Sequence, residues 1–423
     1  MNHTQSKAAA ALSCQKTVLP SGLTVLCRSM PGYSSTHAMY ATKFGSVMLD
    51  FTLDGTPVHL PAGTAHFLEH KMFETPEGDA FDLYAETGAA ANAFTSYDRT
   101  CYIFTATREI DRNLDILLGA VGKPWFTRET IAKEQGIIGQ EIKMYDDSPD
   151  WRLLTGLFRC LYASHPIRED IAGSVESIAR LTPELLYACT DAFYAPANMV
   201  LSVAGSVTLE QAVKACQRCG LYEARPPRTV ALSMPEETGP VPQKELVFSM
   251  PVTKPCFAVG YREAPIAPGD TRREVLLDML SDLVCGGLTG LYRKFYDEAL
   301  TNPEFSGDFV SASGMCAIAF TGESSQPRRV VELLQQEIDR LRREGIDPEL
   351  FELVKHQMYG ELLGDVESVD DAAEEQAAAF LKGRTLADEI DTLASLTVED
   401  ANALLQTTLL EENRAYVEIQ PQE

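Results

Sequence analysis

Two histidines and a glutamate lie within five consecutive residues of the segment PAGTAHFLEHKMFE, which spans residues 61–74. They are His66, Glu69 and His70. On an α-helix, positions i+3 and i+4 lie on the same face as position i, so a helix here would direct all three side chains the same way. Two imidazoles can bind one zinc ion, and a carboxylate beside them can take a proton from water that the ion polarises. We therefore predict a hydrolytic zinc site at this inverted His-x-x-Glu-His motif.

Chance, or the packing of two histidines in a core, would be simpler explanations of the motif. Histidine is scarce in this chain, with seven among 423 residues, so chance rarely produces the pattern. Core packing leaves the intervening Glu69 unexplained. The metal site is therefore the preferred interpretation.

A catalytic zinc site needs a third protein ligand, and the helical segment ETIAKEQGIIGQEIKMYDD at 129–147 offers two candidate glutamates. Glu134 and Glu141 are seven residues apart, which is about 20° short of two full helical turns, so both lie on one stripe. Carboxylates buried beside the isoleucines of this segment would be unfavourable unless a cation compensated them. A stripe that faces solvent is the alternative, and the histidine pair favours the metal site over it.

The chain is strongly acidic, with 36 lysines and arginines against 61 aspartates and glutamates and a net charge of −25. Such a surface repels phosphate backbones and anionic membranes, so we expect neither nucleic-acid nor membrane partners. It would attract a cationic peptide, although solubility alone would explain the charge equally well. Residues 1–22 contain no cationic segment followed by a long apolar run, so a cytoplasmic location is expected.

Ten cysteines are scattered through the chain, a pattern typical of reduced thiols rather than of a disulfide framework. Cys216 and Cys219 have C-x-x-C spacing, at the end of a predicted helix. Because no second pair accompanies them, a four-cysteine zinc site lacks half its ligands. We predict neither a redox nor a metal role for these two residues.

Two distant segments of the chain resemble each other. ARLTPELLYACTDAFYAPANMVLSVAG starts at Ala179, and ASLTVEDANALLQTTLLEENRAYVEIQ starts at Ala394. The offset between them is close to half the chain, which indicates duplication of a whole domain, because solenoid repeats are only about 20–50 residues long. We predict domains at 1–222 and 246–423, joined by a linker at 223–245 that contains five prolines.

The duplication also predicts which domain carries the chemistry. The same offset places Ser281, Val284 and Cys285 where the first domain has its motif residues, so the second domain lacks the metal site. In each half, strand-like segments are gathered in runs rather than alternating with helices. This favours an α+β class, with a mainly antiparallel sheet packed with helices in each domain.

Several segments together resemble the inverted-motif zinc metallopeptidases, the family of pitrilysin, insulin-degrading enzyme and mitochondrial processing peptidase. HFLEHKMFE resembles the metal helix of that family, the residues from Glu134 to Pro149 its second motif, GAAANAFTSYDRTCYIF its x-N-A-x-T segment, and FYAPANMVLSVAG the strand that closes each domain. The resemblance spans nearly the whole chain and is strongest to short bacterial members of two homologous domains. It implies a clamp of two domains around a peptide.

The resemblance also implies roles for individual residues. His66, His70 and Glu141 would bind Zn²⁺, Glu69 would be the general base, and Glu134 would orient the site. The substrate-binding residues would be Asn92, Ala93, Phe94 and Thr95, of which the last three form an edge strand that a peptide extends. The function implied is a zinc-dependent endopeptidase that hydrolyses peptides or unfolded polypeptides.

One motif departs from the family pattern. Many members carry R-E-x-G-L-x-Y in the second domain to stabilise the oxyanion, whereas the corresponding stretch here is LYRKFYDEALTNPEFSG. Tyr296 or its neighbour takes the Arg position, and Phe305, which cannot donate a hydrogen bond, takes the Tyr position. We therefore expect a homologous partner subunit in a heterodimer to supply the donors, with a homodimer as the alternative assembly. The alternative is a non-catalytic or weakly active peptide-binding subunit of a peptidase complex.

Overall fold

The computed structural model describes residues 14–422. The strands are β1 (Gln15–Val18), β2 (Thr24–Ser29), β3 (Thr36–Thr42), β4 (Asp50–Leu53), β5 (Thr56–His59), β6 (Glu74–Thr75), β7 (Gly78–Asp79), β8 (Ala90–Thr95), β9 (Thr100–Ala106), β10 (Met199–Gly205), β11 (Val230–Leu232), β12 (Glu245–Met250), β13 (Cys256–Arg262), β14 (Ser306–Ala312), β15 (Met315–Glu323) and β16 (Arg414–Pro421). The α-helices are α1 (Thr64–Lys71), α2 (Ala80–Thr87), α3 (Ile110–Gly122), α4 (Arg128–Asp146), α5 (Pro149–Leu161), α6 (Val175–Ile178), α7 (Pro183–Phe193), α8 (Leu209–Arg218), α9 (Thr271–Cys285), α10 (Gly290–Asp297), α11 (Pro327–Glu344), α12 (Pro348–Asp365), α13 (Val369–Leu381), α14 (Leu386–Ser395) and α15 (Val398–Leu405).

Two compact units are present, and neither is a contiguous half of the chain. The first unit comprises residues 14–142, 170–233 and 362–387, and the second comprises residues 143–169, 234–361 and 388–422. The units therefore do not coincide with the predicted contiguous domains at 1–222 and 246–423. The physical reason is an exchange of helices. Helix α5 comes from the first half but packs on β13 and β16, and α13 comes from the second half but packs on β10 and β3.

The first unit is built on a six-stranded sheet with the order β1-β2-β10-β3-β9-β8. Its neighbouring strands are antiparallel except β2 and β10, which are parallel. Helix α13 covers one face, where its Ala377 packs on Leu26 and Met39. Helices α3 and α8 pack on β9 and β2. Tyr40, which points away from α13 because it follows Met39 in β3, lies near Cys216 of α8.

Strand β3 is more completely buried than its sequence pattern suggests. Its residues alternate in a way that suggests one buried face, yet all seven positions of Thr36–Thr42 are buried. The alternation alone would fit a half-buried strand, but helices cover both faces of the sheet here. The sequence of β3 alone contains no sign of the second helix layer, since α13 belongs to the other half of the chain.

The second unit repeats the design of the first with a five-stranded sheet, ordered β12-β16-β13-β15-β14. Its one parallel pair, β12 and β16, corresponds to β2 and β10. The repeat extends to local detail, because Thr182 and Thr397, which match in the two copies, each cap the helix that precedes the closing strand. The predicted α+β class with mainly antiparallel sheets is confirmed. The predicted linker at 223–245 is largely irregular but contributes β11, which pairs with β4.

In residues 14–422, each individual helix is too short or too polar to span a bilayer. Among the same described residues, α9 and α10 reach that length and composition when taken together, with a bend of 44° at the break between them.

The backbone at the start of α1 packs closely against the carbonyl group of Ala172. An added methyl group at Gly63 should therefore reduce the stability of the protein. Gly63 caps this helix with φ at 90°, and a Cβ there would lie 2.4 Å from the carbonyl oxygen of Ala172. We expect Gly63→Ala to destabilise the protein by about 2 kcal/mol or more, from the left-handed backbone and the overlap together. Thermal unfolding measures the loss.

The matched control for this change is Gly32→Ala. Gly32 also has a positive φ, at 97°, but a Cβ there would meet nothing within 4 Å. Gly32→Ala should lower the free energy of unfolding only by the cost of the left-handed backbone, about 1 kcal/mol. Equal losses in both variants would show that the contact with Ala172 does not hold α1.

Candidate metal centre

Helix α1 is short, and its surroundings hold it in place. It has eight residues, too few for stability in isolation, so its conformation depends on packing. Most of it is buried, including Phe67 and Leu68. Ahead of the helix, the Ser177 hydroxyl donates to the Ala62 carbonyl over 2.7 Å. The loop that contains Ala172 and the short helix α6 therefore fix the position from which His66 and His70 project.

The three predicted metal ligands converge in the first unit. Nε2 of His66 lies 3.6 Å from Oε1 of Glu141, and Nε2 of His70 lies 3.4 Å from Oε2 of the same carboxylate. The potential ligand atoms of the three residues all lie within 4.8 Å of one another. The stripe of α4 that carries Glu141 thus faces α1 rather than open solvent.

These separations fit ligands of one ion better than hydrogen bonds. A good N–H···O bond is 2.7–3.2 Å long, and both pairs exceed that. Two atoms bound to zinc at about 2.0–2.2 Å and at tetrahedral angles lie about 3.4 Å apart. The donor set, two imidazoles and one carboxylate, is also one that zinc accepts at catalytic sites. The residues present therefore fit a zinc ion.

Glu134 holds the second imidazole from behind. Its Oε1 accepts a hydrogen bond from Nδ1 of His70 over 3.0 Å, and its side chain is only 12% exposed. This bond fixes the tautomer that leaves the Nε2 lone pair directed at Glu141. Burial lowers the pKa of His70, but the bond to Glu134 and the charges of Glu141 and Glu69 outweigh it, so the pKa is raised. The pocket is therefore one that stabilises positive charge.

Glu69 is positioned by a contact that the sequence did not indicate. Its Oε2 accepts a hydrogen bond from the Thr95 hydroxyl over 2.6 Å. Glu69 is half-buried and is not part of the group of three converging ligands. Glu69 therefore lies beside the three candidate ligands rather than among them, which is where a proton acceptor would be placed.

The predicted substrate-binding residues lie on β8, at the edge of the six-stranded sheet. Its residues have different environments. Asn92 and Ala93 line a cleft beside Glu69 and His70, and the Asn92 side chain accepts the backbone N–H of Ala93. Phe94 instead packs against the core beneath α13, and the Thr95 hydroxyl is occupied by Glu69. The edge position leaves the β8 backbone as the surface that a peptide strand could extend.

The stretch that the resemblance aligns with the oxyanion motif lies in the second unit. Phe305 is buried and packs against Phe257 and Phe295, with ring centroids 6.1 and 5.4 Å away. Tyr296 is 63% exposed, and Arg293 pairs with Asp297 four residues along α10. Phe305 therefore has a packing role here, which a phenol would serve poorly without a hydrogen-bond partner.

Sequence reasoning missed a buried lysine beside the ligands. Lys71 directly follows His70, its side chain is completely buried, and it forms an ion pair with Glu74. Burial lowers the pKa of Lys71, while the charge of nearby Glu134 opposes that shift. Because lysine is almost never fully buried unless it is paired, the residue type alone predicts an exposed side chain at this position. The one indication in the sequence was Glu74, an acidic residue three positions later that could pair with the lysine.

The C-x-x-C pair has thiols that are protonated at neutral pH. Burial raises the pKa of Cys216 to about 12 and that of Cys219 to about 11. A reactive cysteine needs the opposite shift. The geometry thus offers no support for a redox role at this pair.

Comparison with known proteins identifies the family. The model described as Insulinase (Peptidase family M16) matches residues 60–174, which contain all the converging ligands. The model described as Peptidase M16 inactive domain matches residues 180–358. The uncharacterized zinc protease YmfH of Bacillus subtilis is 34% identical over 412 residues, which cover 95% of each chain. The chain belongs to peptidase family M16.

Solved structures of short bacterial proteins match this M16 chain over nearly their whole length. An M16-like peptidase from Alicyclobacillus acidocaldarius is 33% identical, with a TM-score of 0.93 over 97% of this chain and 98% of that one. A protease from Helicobacter pylori shares the fold at 19% identity, with a TM-score of 0.80 and coverage of 97% and 99%. Pitrilysin shares it at 17% identity and a TM-score of 0.76, but the match covers 97% of this chain and only 45% of pitrilysin. The expected resemblance to short bacterial members of two domains is confirmed.

Proposed function

We propose that this M16 member is a zinc-dependent endopeptidase that hydrolyses peptides or unfolded polypeptides. The observation that carries the proposal is the convergence of His66, His70 and Glu141 at separations suited to one ion. Zinc, when bound, would supply Lewis-acid activation of a water molecule and of the substrate carbonyl. The name of the Bacillus subtilis relative, a zinc protease, supports the same chemistry.

The side chains around the ligands divide the remaining work. Glu69, held by Thr95, would accept a proton from the attacking water and deliver it to the leaving amine. Glu134 would keep the His70 ring in the tautomer that binds metal. The backbone of β8 would align the peptide by strand addition, which restricts substrates to extended or unfolded chains.

Removal of the metal tests this function directly. Treatment of the purified protein with a chelator should abolish hydrolysis of an unfolded test polypeptide, and stoichiometric zinc should restore it. Metal analysis by mass spectrometry, done in parallel, should show about one zinc per chain in the active samples. Hydrolysis that persists after complete zinc removal would contradict the proposal.

We also propose that the active assembly contains a second M16 subunit, a homologue that carries the donors this chain lacks. The basis is the buried Phe305, which cannot donate a hydrogen bond where the family pattern has tyrosine. A lost oxyanion donor reduces kcat by about 10²–10³-fold. A cytoplasmic location, and the absence of nucleic-acid and membrane partners, stay predictions from composition.

The pairing proposal predicts a protein that binds zinc yet cleaves slowly when it is alone. Addition of a homologous subunit that carries R-E-x-G-L-x-Y should raise kcat by about 10²-fold or more. The measurement is peptide hydrolysis across a titration of that subunit, with light scattering to report the assembly. Full activity of the isolated monomer would refute the need for a partner.

One observation favours a second candidate function, that of a peptide-binding subunit with little activity. The same Phe305 would be tolerated in a protein that holds peptides without cleaving them. Such a protein would bind peptides equally well with or without the Glu69 carboxylate. The converging ligand set, which a binding subunit does not need, makes the peptidase the preferred function.

A further inference from the structure

A cleft of about 670 Å³ opens beside Glu69 and His70, within the first unit. The hairpin of β6 and β7 forms one side, and residues of α4 form another. Because the cleft begins at the proposed general base, it would receive a substrate side chain that flanks the scissile bond. This inference therefore rests on the proposed function.

Part of the cleft wall is formed by large apolar side chains. Phe81 is 43% exposed and Ile137 is 48% exposed, while Trp125 beside them is half-buried. Large apolar side chains grouped in a cleft mark a binding surface rather than ordinary surface variation. A substrate side chain with a long hydrocarbon stem, or a ring, would cover this wall.

The charges of the cleft are mainly negative. The acidic lining residues are Glu69, Glu74, Glu77, Asp79 and Glu134, against one basic lining residue, Lys133. Glu69 and Glu134 belong to the metal centre, and Glu74 is neutralised by Lys71. Asp79 caps α2 by accepting the backbone N–H of Phe81. These four carboxylates therefore have assigned partners or roles.

Glu77 is different. It lies at the exposed tip of the hairpin, between β6 and β7, and lines the cleft. Within residues 14–422 its carboxylate has no hydrogen bond or ion pair. The apolar wall and an uncommitted carboxylate thus belong to one cleft, an arrangement that suits a side chain with an apolar stem and a cationic end.

We propose that Glu77 determines specificity and selects a lysine or arginine next to the scissile bond. The hydrocarbon stem would lie on Phe81, Trp125 and Ile137, and the cation would pair with Glu77. Because Glu77 is exposed, the pair contributes modestly, as ion pairs at a protein surface do. We expect an Arg peptide to be preferred about tenfold over a Glu peptide of otherwise identical sequence.

The test separates binding from cleavage. Three peptides that differ at one position, as Arg, norleucine or Glu, are compared for kcat/KM with the wild-type protein, and mass spectrometry locates the cleaved bond. Their affinities for the Glu69→Gln variant are measured by fluorescence anisotropy, so that selectivity is observed without turnover. Both series are repeated with Glu77→Lys, and with Glu223→Lys as a control of equal charge change at an exposed residue outside the cleft.

The expected result is a preference in the order Arg, norleucine, Glu, lost or reversed by Glu77→Lys and unaffected by Glu223→Lys. Equal use of Arg and Glu peptides, or the same change in both lysine variants, would overturn the proposal while leaving the peptidase function intact. Selective binding of the Arg peptide without any zinc-dependent cleavage would support the cleft assignment but contradict the proposed function.

Discussion

Replacement of Glu69 by glutamine is expected to reduce peptide hydrolysis by about 10²–10⁴-fold while the zinc content stays unchanged. Glutamine keeps the size of the side chain and can still accept the hydrogen bond from Thr95, which is 2.6 Å long. It cannot take a proton from water at neutral pH. Because Glu69 is outside the group of three converging ligands, its loss should not remove the metal. Paired measurements of kcat/KM and zinc stoichiometry check both parts.

A suitable control for this variant is Glu223→Gln, which makes the same chemical change at an exposed carboxylate away from the site. It should retain full activity and the same zinc content. A Glu69→Gln protein that cleaves as fast as wild type would exclude Glu69 as the general base. A variant that loses its zinc as well would instead place Glu69 among the ligands.

The second large effect is expected from Glu141→Gln, which should weaken zinc binding by more than the 10–100-fold typical of residues that only support a ligand. The reason is geometric. Its two oxygens lie 3.6 and 3.4 Å from Nε2 of His66 and of His70. Among the described residues, Glu141 is the carboxylate that is grouped with both rings. Activity should fall in parallel with occupancy and recover in part at high zinc. Competition with a fluorescent chelator measures the dissociation constant.

Glu134→Gln supplies the matched comparison, since it alters a carboxylate on the same helix that bonds only the far side of the His70 ring. Its effect on zinc affinity should stay within about 10–100-fold. If Glu134→Gln lost zinc and Glu141→Gln did not, the two assignments would have to be exchanged. Thermal unfolding of both variants without metal shows whether either change disturbs the fold itself.

The sequence determined the local geometry of the site. A helix repeats every 3.6 residues, so the spacings of His66, Glu69 and His70, and of Glu134 and Glu141, were enough to place each set on one face. The internal repeat likewise predicted two similar α+β units, since a duplicated pattern folds in a similar way. These inferences succeeded because they depend on patterns that are contained in the chain itself.

The tertiary structure decided everything that depends on contacts between distant segments. The exchange of α5 and α13 between the sheets buried both faces of β3 and separated the compact units from the predicted domain boundaries. The bond from Thr95 to Glu69 and the burial of Lys71 against Glu74 likewise arise only when α1, β8 and the β6–β7 hairpin are packed together. Periodicity reports which face of an element is apolar, but not which other segment will cover it. That choice is made by the packing of the whole chain.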